Sequence, residues 1–280
     1  SVGAEKLEAL TNASWGLDDL QLTVSAIENG DVNQLASSRV FFNEVIVKAL
    51  GEVAEVESPV LTYLGTSISN GEKATPYSMV SGVGPALNAI VDQELEDDGI
   101  IVSDWLAEDL GVVVGDEVGL TYNVVSTGRA LEEKERMFRV AKVLPIGEQG
   151  WDQSWTPAFP GIFDVDNLDE WEPGIPIDRD RIRDKDDAFW DDYRATPKAF
   201  VNLAAAQEMW GNRFGEVTAV RYEMKGGDEP LQDSLREHLR LSDLGMVVRD
   251  LPAESASAVA NSFDFGALFA SMSFFLIIAA

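Results

Sequence analysis

Residues 100–125 read IIVSDWLAEDLGVVVGDEVGLTYNVV, and they decide how the rest of the chain is read. Ile100-Ile101-Val102 is a short apolar run that suits a buried strand. Ser103 then stands where a helix N-cap belongs, since its hydroxyl can accept from the free amides of the first turn. The helix it opens, Asp104 to Leu110, is stopped by Gly111, a residue that enters the left-handed region without strain. Gly115-Asp116 marks a turn, and 117–125 resumes as a strand. A charged stretch at 128–135 leads into a further strand at 136–145, so this part predicts an antiparallel β unit.

Towards the N-terminus, 20–27 alternates as a strand and 39–42 (RVFF) predicts another. Asn43 is placed to cap a helix over 44–50, with Gly51 as its stop. Residues 59–69 and 77–83 flank Asn70-Gly71, a hairpin signal. Towards the C-terminus, 146–197 is proline-rich and irregular, with a short helix expected near 184–193. A segment this long without regular structure is usually functional or mobile. A strand at 198–203 and a helix at 204–211 follow. The succession 217–223, 229–242 and 245–251 then predicts a βαβ-like unit. From Ala253 a helix is expected to run into the end of the chain.

That end, FGALFASMSFFLIIAA at 265–280, holds no charge, whereas the whole chain carries a formal net charge of −28. At about 1.5 Å per residue it reaches roughly 24 Å, short of a hydrocarbon core of about 30 Å. It reads either as a buried helix or as a membrane helix cut short. Its apolar character on every side and its small residues Gly266, Ala267, Ala270, Ser271 and Ser273 favour the membrane.

Composition excludes several classes. Acidic residues outnumber basic ones 49 to 21, which argues against nucleic acid and against anionic headgroups as partners. The same imbalance fits a salty habitat, where counter-ions relieve self-repulsion. There is no cysteine, so disulfides, thiolate metal sites and cysteine nucleophiles are ruled out. Residues 1–10 lack the basic-then-apolar pattern of an export signal, so a signal for a domain outside the membrane is expected upstream or already removed. The single histidine, His238, lies on a charged helix, and no nucleophile elbow, Walker or dinucleotide glycine pattern is present.

Four readings of particular residues remain. Carboxylates are abundant enough for a paired acid/base site, but no two stand out. Asp164, Asp166, Asn167 and Asp169 resemble the start of a calcium loop, yet Leu168 and Ile175 occupy positions that the template reserves for ligands; Asp184, Asp186 and Asp187 are a second loose candidate. Trp151, Trp155, Trp171 and Trp190, with Phe159, Phe163 and Phe189, form either a partner-contact surface or a satellite core under the long segment. Asn12-Ala13-Ser14 matches a glycosylation acceptor, a pattern frequent by chance.

Several of these segments together resemble the extracytoplasmic domains of FtsX/MacB-like ABC-transporter permeases. The block at 102–125 is similar to their strand–short helix–LG–VGD–strand unit, and RVAKVLP at 139–145 to the strand after it. Residues 173–222 resemble a segment of a bacterial subgroup, and 265–280 the start of the helix by which the domain re-enters the membrane. The resemblance rests on the order of all four and covers about half of the chain. It implies an α+β fold in which a porter-like βαβ subdomain carries an inserted β-rich lobe. It places the N-terminal part of that subdomain at 1–94, the lobe at 95–214, the C-terminal part at 215–262 and the start of a transmembrane helix at 263–280. It further implies a non-enzymatic domain facing the periplasm or cell exterior, without cofactor or metal. ATP would be hydrolysed by a separate ABC ATPase subunit or domain, and the domain would contact cargo or a partner protein and relay motion. The alternatives from the residues alone are a secreted carboxylate-dependent hydrolase and a calcium-stabilised adhesion module.

Overall fold

The computed structural model describes residues 3–27, 32–84, 95–125, 130–147, 151–159, 161–163, 165–172, 174–225, 230–260, 269–270, 273–274 and 277–278. The fold is mixed α+β. In chain order the elements are α1 (Ala4–Ser14), β1 (Leu22–Ala26), β2 (Asn33–Ser37), α2 (Glu44–Val53), β3 (Ala54–Asn70) and β4 (Lys73–Val83). There follow β5 (Gly99–Ser103), α3 (Asp104–Leu110), β6 (Glu117–Val125), β7 (Leu131–Leu144), α4 (Asp184–Tyr193) and β8 (Ala199–Asn202). The last are α5 (Leu203–Trp210), β9 (Ala219–Met224), α6 (Leu231–His238) and α7 (Leu251–Ala260). Two compact units result, Gly16–Leu239 and Ser1–Trp15 with Arg240–Ala280.

Among the described residues nine strands lie in the first of these units, in the order β1-β2-β9-β3-β4-β8-β5-β7-β6. β6 also pairs with β3, so β3, β4, β8, β5, β7 and β6 close into a six-stranded barrel. β3 is long enough to serve twice. Its first half, Ala54–Val60, pairs with β9, and its second half forms the barrel wall with β4 and β6. Leu61 and Ile68 of β3 belong to the same interior cluster, although strict alternation would put them on opposite faces. A register shift between Gly65 and Ser67 restores the phase, as a bulge does by adding one residue.

The interior is filled by Val80, Ile100, Val102, Val118, Leu120, Phe138, Val140 and Val201 from the wall, with α3 and α5 adding Leu106, Leu110, Met209 and Trp210. α5 comes so close to β4 that only glycine fits at Gly82, where a Cβ would lie 2.1 Å from that of Ala206. The outer face of the wall is covered by the segment 146–197. Trp151 and Trp155 pack on Ile101 and Phe200, and Trp171, Trp190, Phe159 and Ile162 pack on Leu64, Tyr77 and Met79. Burial on both faces explains why β5 reads as a continuous apolar run.

Local signals held where they were strong. Ser103 Oγ accepts from Leu106 N at 3.1 Å, and Gly111 ends α3 with φ +71°. Asn43 Oδ1 accepts from Val45 N at 3.0 Å, although α2 runs through Gly51 to Val53. β3 and β4 form the hairpin with Asn70 opposite Lys73 and Gly71 at φ +60°.

Three expectations are corrected. No strand forms at 39–42: Val40 turns at φ +73°, and the strand lies earlier, at β2, hidden in the polar-looking NQLAS. β7 begins at Leu131, so the charged residues after it are strand, paired with the end of β6. No strand forms at 245–251. Gly245 ends a 3₁₀ turn at φ +82°, and Met246 and Val247 are exposed with no partner strand, so the βαβ-like unit lacks its returning strand. β9 instead sits antiparallel between β2 and β3.

In the other unit α1 meets the chain after Arg240, where Asn12 Oδ1 accepts from Leu241 N at 2.9 Å. α7 is exposed on all sides, and the described tail residues Phe269, Phe274, Ile277 and Ile278 are helical and 63–74% exposed. Most of the apolar tail lies outside the described residues, and among those described no helix is long and apolar enough to cross a membrane.

Candidate functional site

A cavity of about 730 Å³ is lined by Glu72, Lys73, Ala74, Trp105, Glu108, Asp109, Arg183 and Lys185. Three separate pieces of chain supply it: the β3–β4 hairpin, one face of α3, and the residues that open α4. α3 places Trp105 and Asp109 one turn apart on the same face.

Asp109 is the junction. Its carboxylate accepts from Thr75 Oγ1 at 2.6 Å, from Arg183 Nη2 at 2.7 Å and from the Lys185 ammonium. Burial pushes this carboxyl up, but the bonds from Lys185, Thr75 and Arg183 together outweigh it and hold it below its ordinary value. Arg183 also donates to Ala74 O at 3.0 Å and grips Asp186 with Nε and Nη2, each at 2.7 Å. Asp186 Oδ2 accepts in return from the Arg183 backbone N–H at 3.0 Å, so the same pair caps α4. One arginine thereby fastens the long outer segment to β4 and α3.

Beneath the cavity Lys198 is 5% exposed, with its ammonium 3.8 Å from Asp186 Oδ1. Two aromatic faces complete its surroundings, Trp105 at 4.5 Å and Phe189 at 4.6 Å, themselves edge-on at 4.9 Å. Ring faces carry negative potential, so they substitute in part for lost water. They do so incompletely: burial pulls the Lys198 pKa down to about 8, against the pull of Asp186 upward. Chemically this is a held ammonium and a saturated carboxylate. Asp109 is shifted down, whereas a general acid needs its carboxyl shifted up.

The four tryptophans singled out in sequence are core: Trp151, Trp155, Trp171 and Trp190 are 0–4% exposed. Trp151 Nε1 donates to Pro197 O at 2.7 Å, Trp190 Nε1 to Asp166 O at 3.0 Å, and Trp171 meets Trp190 edge-on at 5.1 Å. They offer no surface for a partner in this conformation. His238 is exposed at the end of α6, away from these groups in sequence. Asp186 is taken up by Arg183 and Lys198, and no group of three acidic or histidine side chains among the described residues is arranged to hold a metal ion. Asp164 of the calcium-like run lies outside the described residues. Lys198, Arg183 and Asp109 were missed because only folding brings 109, 183–186 and 198 together.

No family model and no curated protein matches the chain. Several solved structures are similar to it. One is the extracellular domain of the ABC-type transporter YknZ from Gram-positive bacteria, at 13% identity over 74% of this chain and 86% of that one, with a TM-score of 0.38. Another is the periplasmic region of MacB from Actinobacillus actinomycetemcomitans, at 8% identity over 79% and 84% and a TM-score of 0.35. A third is a domain of a putative permease protein from Porphyromonas gingivalis, at 13% identity over 72% and 73% and a TM-score of 0.34.

Proposed function

We propose that this chain is the extracytoplasmic domain of an ABC-transporter permease, which contacts cargo or a partner protein and relays motion driven by ATP hydrolysis in a separate subunit or domain. The observation that carries the reading is the order of the four resembling segments, ending in the uncharged stretch 265–280. The structure supports it in a further way. α1 and α7 belong to one compact unit, in which Asn12 of α1 accepts from Leu241 N in the turn that precedes α7, while the barrel belongs to the other. Helices in a unit separate from the barrel suit a mechanical relay, in which a shift of the helices moves the barrel unit between two states of contact. On this reading the tail enters the membrane, 95–214 is the inserted lobe, and 1–94 with 215–262 form the porter-like subdomain.

The carboxylate-hydrolase reading has less support, because Asp109, the carboxyl at the junction of the charged cavity, is held ionised by three donors. The test is fractionation of the native protein. Retention in membranes through a carbonate wash, with an ATPase co-purifying, is the expected result. A soluble species without an ATPase overturns the reading.

A further inference from the structure

Away from the charged cavity, a groove of about 390 Å³ runs between the start of α2 and the turn that connects α5 to β9. Its floor is apolar: Phe42 and Val217 are buried, and Val47 and Pro59 are half-buried. Its wall is the turn Asn212–Gly215. Backbone bonds run both ways between Asn212 and Gly215, at 3.1 and 3.0 Å, and Phe214 N donates to Asn212 Oδ1 at 2.9 Å. A Cβ on Gly215 would lie 1.8 Å from Phe42 O, so the turn is seated directly on the backbone of the groove floor. Phe42 N in turn donates to Val217 O at 2.9 Å.

This rigid turn holds Phe214 out into solvent, 62% exposed, with the Arg213 guanidinium 4.6 Å from its ring centroid. A large aromatic fixed in advance loses little entropy on binding, which is the property of an interface anchor. Two carboxylates flank it. Glu44 and Glu216 line the groove, both are exposed, and neither has an ion-pair partner among the described residues. The groove's one cation, Arg213, lies over Phe214 instead. An apolar floor between unpaired carboxylates, on a chain of net charge −28, complements an apolar side chain flanked by Lys or Arg.

We infer that the Phe42–Phe214 groove is the docking site for a partner protein, and that it receives a basic segment with an apolar residue at its centre. The inference rests on the reading of the chain as a domain that contacts a partner, and it names the surface and the chemistry of that contact. Acidic or neutral segments, lipid, and a second copy of this acidic chain are the occupants it rejects.

The test places the photo-crosslinking residue benzoylphenylalanine at 214 in the intact native protein in its own cells, with the exposed Val114 as the control position, and sequences the adducts by mass spectrometry. The expected result is an adduct at 214, not at 114, within a segment that carries Lys or Arg on both sides of an apolar residue. Its yield should fall about fivefold when Glu44→Gln and Glu216→Gln are combined, and also in about 0.5 M NaCl. An adduct with lipid, with another copy of this chain or with a segment lacking basic residues overturns the inference. So does no adduct in a protein whose circular dichroism is unchanged, or an adduct whose yield ignores the two glutamates. Carbonate extraction of the same cells separates the two readings. A basic-segment adduct on a soluble protein keeps the groove and removes the permease, and a membrane-bound protein with its ATPase but no such adduct does the reverse.

Discussion

The ammonium of Lys198 lies 4.5 Å from the centre of the Trp105 ring, with Phe189 and Asp186 on its other sides. A lysine this buried keeps its charge at a cost, and the cost has a sign that pH reveals. In the folded chain its pKa is about 8, and in the unfolded chain about 10.4. Between those values the unfolded state binds more protons, so stability rises with pH across that window. Below pH 8 the full penalty applies, on the order of 3 kcal/mol. Lys198→Met removes it while leaving Asp186 bonded to Arg183, so the variant should be more stable than the parent at pH 7. Urea denaturation at pH 7 and near pH 10.5 checks this: the advantage of the variant should shrink by roughly 3 kcal/mol at the higher pH. An advantage that does not change with pH would mean that Lys198 is not the group responsible.

Asp109 has the opposite linkage. Its folded pKa is below the ordinary value, so its contribution is present above about pH 4 and is lost as pH falls through the folded pKa. Asp109→Asn keeps the shape but leaves Lys185 without its carboxylate and Arg183 with only Asp186. Because Arg183 and Lys185 are partly exposed, the cost is set below that of a fully buried pair, at about 2 kcal/mol. Denaturation at pH 7 measures it, and the difference between parent and variant should narrow as the pH is taken below 4. The same variant should release the outer segment, seen as faster proteolysis within 174–198.

The contrast between α3 and the charged network shows what a sequence of this kind discloses. Ser103, Gly111 and Gly71 act within a few residues of themselves, and their roles were legible. β2 was not, because Gln34 is a buried polar residue paired with Arg221, nearly two hundred positions away. Met246 and Val247 look like strand, but alternation makes a strand only when a neighbour supplies the ladder. Closure of the barrel was hidden for a similar reason, since it depends on β6 meeting β3 across a bulge. The tryptophan-rich segment was open to two readings because apolar aromatics serve cores and interfaces alike, and only burial separates them.

The acidic surface predicts a response to salt. With 49 acidic and 21 basic residues, the folded chain confines a charge that the unfolded chain can spread out. Screening reduces that repulsion, so the melting temperature should rise by about 5–10 °C between 0.1 and 2 M NaCl. A calorimetric scan in each salt checks the direction. A flat response would mean that local ion pairs, not net charge, dominate the electrostatics of folding.

Gly82 and Ala206 provide the most stringent check on the barrel itself. Ordinary carbon contacts need more than 3 Å, and a Cβ at Gly82 would stand 2.1 Å from Ala206 Cβ and 3.5 Å from Leu203 Cα. Both residues lie in the interior, where α5 packs on β4, so neither side can yield into solvent. Gly82→Ala must therefore push α5 outward or distort β4, at a cost of about 2–4 kcal/mol. Ala206→Gly alone should cost about 1 kcal/mol through helix propensity. Combining them removes the clashing methyl, so the double variant should be more stable than Gly82→Ala although it contains one more destabilising change. Denaturation of the four proteins of this cycle decides the matter. Simple addition of the two costs would show that α5 does not rest on β4 at Gly82.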